Sequence, residues 1–86
     1  MLRITYDRER CVYSIEAEIL SGKIVVATRY EAARLAVILM YPTIGRETSI
    51  IAIERFVNAL EFDSPPNSFR EFSYDWFDGF RAGLYS

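Results

Sequence analysis

Leu2, Ile4 and Tyr6 alternate with Arg3, Thr5 and Asp7. A period of two sends successive side chains to opposite faces of an extended chain, so this stretch predicts a half-buried strand. Asp7-Arg8-Glu9-Arg10 is polar and reads as a turn. Alternation then resumes, with Cys11, Tyr13, Ile15, Ala17 and Ile19 on one face and Ser14, Glu16 and Glu18 on the other. The first set is expected inward and the second wet. Ser21-Gly22 supplies a tight connection, because glycine takes the positive φ that hairpin turns use. The β-branched run between Lys23 and Ala27 predicts a third strand. Three consecutive strands with short links predict an antiparallel meander over residues 1–27.

The period then changes. Thr28-Arg29-Tyr30-Glu31 fits a capping box, in which the Thr oxygen accepts one free amide and the Glu reaches back to another. A helix is predicted from about Arg29 to Met40, with Pro42 ending it. Beyond Arg34 this helix is apolar all round, which implies burial on more than one side. Thr43, Gly45 and Thr48 are candidate starts for a second helix reaching about Phe62. Ile50, Ile53, Val57 and Leu60 line one of its faces, with Phe56 beside them, and Glu47, Glu54, Asn58 and Glu61 line the other. Ile51 falls on the polar face, so it is expected to be exposed or covered by a partner. Asp63-Ser64-Pro65-Pro66-Asn67 is a rigid break. Ser68-Phe69-Arg70-Glu71 has the form of a second capping box and predicts a third helix, weakened at its far end by Gly79 and Gly83. The expected architecture is α+β: one domain over residues 1–86, with strands in 1–27, helices in 28–86, a break at 63–67, and three helices packed on one face of the meander.

Apolar content changes this picture. A chain of 86 residues buries only about 60–65% of its unfolded surface, yet 51% of its residues are hydrophobic and 15% aromatic. Part of that excess is expected in an interface. Seven of the 13 aromatic residues fall in the last eighteen positions. Helical spacing sorts them into stripes. Phe69, Phe72, Trp76 and Phe80 form a face expected to dock on the core. Glu71, Asp75 and Asp78 form an acidic strip, and Arg70, Tyr74, Phe77, Arg81 and Tyr85 form a third stripe. Arg and Tyr are favoured at binding hot spots and Phe is enriched in interfaces, so the third stripe is the expected contact surface, with Asp75 and Asp78 as supporting charges.

The net charge of −2 divides unevenly. Residues 1–46 carry seven Lys/Arg against five Asp/Glu, whereas residues 47–86 carry three against seven. Neither half holds the concentrated basic stripe of a nucleic-acid surface. Arg outnumbers Lys nine to one, which suits planar and stacked contacts.

The chemistry the chain lacks is equally informative. It contains no His, the commonest general base and metal ligand. Cys11 is the only Cys, so no intrachain disulfide forms, and a structural zinc site, which needs four Cys/His ligands, cannot be assembled. Its position on the inward side of a strand predicts an inert core thiol. The four Gly make no phosphate loop or dinucleotide fingerprint. Glu16 and Glu18 share a strand face, but a chain this short has little room for a cleft beside its core. No catalytic activity and no cofactor are expected. The N-terminus has no signal-peptide pattern, and the longest apolar stretch, Leu35 to Tyr41, is far short of the roughly 20 residues that cross a bilayer. A cytoplasmic protein with no membrane partner is expected.

Three functional expectations follow. The first is a small protein-binding module that docks on a larger protein or nucleoprotein complex through Arg70, Tyr74, Asp75, Phe77, Asp78, Arg81 and Tyr85. In size, compactness and lack of catalytic motifs such a chain resembles small phage and mobile-element inhibitors of host defence, including anti-CRISPR proteins. No residue motif carries that likeness. The second is a homo-oligomeric structural subunit, a homodimer packed through Val37, Ile38 and Ile51. The third is single-stranded nucleic-acid binding by Arg3, Arg8, Arg10, Lys23 and Arg29, with Tyr13 or Tyr30 stacking on bases. Glu9, Glu16 and Glu18 in the same region oppose it.

Overall fold

A computed structural model describes residues 1–60 and 69–85. The elements run β1 (Leu2–Asp7), β2 (Val12–Ala17), β3 (Ile24–Val26), α1 (Arg29–Met40), α2 (Arg46–Ala59), β4 (Phe69–Phe72) and α3 (Tyr74–Leu84). The architecture is α+β, with an antiparallel sheet in the order β3-β2-β1-β4 and three helices. The expected meander is present, but the sheet has four strands, and β1 is central instead of lying at the edge.

Alternation works as the sequence dictates. In register, Leu2 lies opposite Ala17 and Phe72, and Ile4 lies opposite Ile15. Leu2, Ile4, Ile15 and Phe72 are fully buried in a core with Tyr13, while Arg3, Glu16 and Glu71 on the other face are exposed. The Arg3 guanidinium pairs there with the Glu71 carboxylate across β1 and β4, with Nε at 3.2 Å. That carboxylate raises the Arg3 pKa further above its ordinary value.

The turn between β1 and β2 corrects one expectation. The Asp7 carboxylate accepts from the Glu9 and Arg10 amides at 3.1 and 3.2 Å, forming an Asx-type turn. The loop closes with Cys11 in the left-handed region, φ 57°. Cys11 is therefore an exposed loop residue, not an inward strand residue, and β2 begins at Val12. At its far end, the Leu20 amide donates to the Ala17 carbonyl at 3.0 Å. That turn swings Ile19 outward to 68% exposure, against the expected inward position.

Helix α1 has its expected bounds. The Glu31 amide donates to Thr28 Oγ1 at 3.0 Å, so Thr28 caps the helix, and the Thr28 hydroxyl donates to the Glu31 carboxylate at 3.2 Å. Its buried side chains, Ala32, Ala33, Ala36 and Val37, are small, which lets α1 sit close over β2 and β3 and against α2. Val37 is fully buried and therefore unavailable as a dimer contact, whereas Ile38 is half exposed. Helix α2 is capped by Gly45 and ends at Ala59, short of the expected Phe62. It buries Ala52, Ile53 and Phe56. Ile50, expected inward, is 51% exposed, and Ile51 is exposed as its polar-face position implies.

The largest departure lies near the C-terminus. Phe69 to Phe72, read as the first turn of a helix, forms strand β4. The helix begins after Ser73, whose hydroxyl accepts from the Trp76 amide at 3.1 Å. The expected break at 63–67 lies outside the described residues. Phe72 enters the core from the sheet, and Phe56 meets it at a 5.0 Å ring separation. Phe56 also stacks on Phe77 at 5.8 Å and meets Trp76 and Phe80 edge-on at 5.5 and 5.7 Å. This aromatic cluster locks α2, α3 and β4 together. No helix of the described residues is long and apolar enough to cross a membrane.

Candidate partner-binding groove

With the helix starting at Tyr74, positions 74, 78, 81 and 85 share one stripe, and Phe77, Phe80 and Leu84 share the inward one. Tyr74, Asp78, Arg81 and Tyr85 are all exposed. Phe77 is only 2% exposed. The expectation that Phe77 is a surface contact is therefore wrong: the helix starts at Tyr74, five residues after the expected Phe69, and with Phe69–Phe72 in strand β4 it is Phe77, Phe80 and Leu84 that face the core.

Four of the predicted residues, Tyr74, Phe77, Asp78 and Arg81, converge on a groove of about 260 Å³. Tyr74, Asp78 and Arg81 form its α3 wall, and Phe77 and Tyr41 lie beneath. Leu39 and Met40, from the end of α1, close one side. Glu18 and Ile19, from the turn after β2, form the opposite wall. The lining is thus mostly aliphatic or aromatic, with Glu18, Asp78 and Arg81 as its charged side chains. The Tyr74 hydroxyl donates to Glu18 Oε2 at 3.3 Å, and the Met1 amino group donates to Glu18 Oε1 at 3.2 Å, so this wall is tied to the sheet.

Under the groove, the Tyr41 hydroxyl donates to the Phe77 carbonyl at 2.6 Å, and its ring lies 5.9 Å edge-on from the Phe77 ring. Burial pushes the Tyr41 pKa up to about 12, with Asp78 adding to the rise and Arg81 opposing it. Tyr41 is neutral and fixed, a structural member of the site and not a proton carrier at neutral pH.

The remaining predicted residues lie elsewhere. Arg70, on β4, donates to the Ala59 carbonyl at 2.8 Å and places its guanidinium 5.1 Å from the Phe72 ring. It caps the C-terminus of α2, where a cation complements the helix dipole. Asp75 is exposed in the first turn of α3, and Tyr85 is exposed past its last turn, beyond the groove. The expected acidic strip is split, since Glu71 is on the open sheet face paired to Arg3, Asp75 is outside the groove and Asp78 lines it. Glu18, Ile19, Leu39, Met40 and Tyr41 are groove residues that sequence reasoning missed. Their only local signal was Ser21-Gly22, which marks a turn able to turn Ile19 outward.

Among the described residues, no three His, Cys, Asp or Glu side chains gather where they could hold a metal ion. The expected nucleic-acid surface is also altered. Tyr13 is buried and accepts a 3.3 Å hydrogen bond from Arg29 Nε, so its ring is unavailable for stacking on bases. Comparison with protein-family models, with curated proteins and with solved structures gives no match.

Proposed function

We propose that the chain is a non-catalytic protein-binding module that docks on a larger protein or nucleoprotein complex through the groove beside α3. The observation that carries this reading is the convergence of Tyr74, Asp78 and Arg81 on a groove floored by Phe77 and walled by Ile19 and Leu39. An apolar floor inside a polar, Arg- and Tyr-bearing rim is the anatomy of a protein interface. Its volume is slightly below the roughly 300–1,000 Å³ of small-molecule sites, which fits a protruding side chain or turn of a partner. The rigid aromatic cluster beneath it keeps the ordering cost of binding low.

The test is affinity capture from the native cell with wild type and with Tyr74→Ala/Arg81→Ala. Both replaced side chains are exposed, so the double variant is expected to keep the wild-type melting temperature and to lose a discrete bound protein. Equal capture by both chains would remove the groove from the binding surface.

A further inference from the structure

We draw no further inference here: the strongest candidate, the two apolar surface hollows of about 230 and 250 Å³ that share Arg34 and Ile38 of α1, carries nothing, because nothing in the structure shows what covers them.

Discussion

Tyr41, just past the end of α1, donates its hydroxyl at 2.6 Å to the main-chain carbonyl of Phe77, in the middle of α3. The two residues are 36 positions apart, and the bond fixes the helix that supplies one wall of the groove to the helix that closes its end. The α3 and α1 sides of the groove are set on this joint.

Tyr41→Phe is expected to cost about 0.5–1.5 kcal/mol at pH 7, the usual net worth of such a hydrogen bond. It should also change the response to alkali. The Tyr41 pKa is raised to about 12 in the fold, against about 10 in the unfolded chain. The folded state therefore keeps a proton that the unfolded state loses, and stability from this group is full below pH 10 and declines as pH rises toward 12. Urea titrations of wild type and Tyr41→Phe across that range should show a shallower alkaline decline in the variant. Parallel curves would mean that the hydroxyl is not held as described.

Two adjacent stripes of α3 should separate cleanly in a stability assay. Phe77→Ala removes a buried ring packed against Phe56, Phe72, Trp76 and Tyr41, and should cost about 3–5 kcal/mol. Tyr74→Ala, at an exposed position, should cost within about 0.5 kcal/mol. Comparable losses in chemical denaturation would contradict the rotation of the helix that buries Phe77.

The strand-to-helix boundary gives a third test. Ser73→Ala removes the side chain that caps α3 and should cost about 1 kcal/mol. Had the helix begun at the Ser68-Phe69-Arg70-Glu71 pattern, Ser73 would lie inside it and alanine there would be neutral or mildly stabilising. A measured gain in melting temperature for Ser73→Ala would restore that earlier start.

These tests bear on the places where local pattern and tertiary structure part. The first three strands and α1 are legible because their signals are local: a period of two in Leu2–Asp7, and an N-cap at Thr28. Residues 69–72 carry a helix-start pattern of equal quality, yet they are drawn into a strand because β1 offers a free edge and a fully buried place for Phe72 opposite Leu2. That pairing is non-local, and the tertiary contact overrides the propensity. The error then propagates: the helix starts five residues later than expected, so its inward face is set by Phe77, Phe80 and Leu84 and no longer by Phe69 and Phe72, and Asp78 stands on the outer stripe where Phe77 was expected. Tyr74 and Arg81 survive on that stripe because both remain outward with the later start. Arg70 does not, because as a strand residue it reaches the last turn of α2. The other half of the groove comes from Glu18, Ile19 and the end of α1, which no reading of α3 alone could join to it.

The central claim is that the groove beside α3 is where a partner sits. The most direct measurement is site-specific photocrosslinking in the native cell. A photoreactive residue would be placed in turn at Tyr74, Arg81 and Ile19, which ring the groove, and at Glu47 and Glu54, exposed on α2 away from it. The expected result is one crosslinked protein of the same mass from all three groove positions and none from the α2 positions. Crosslinks of equal yield from both sets, or from the α2 positions alone, would contradict the groove as the docking site.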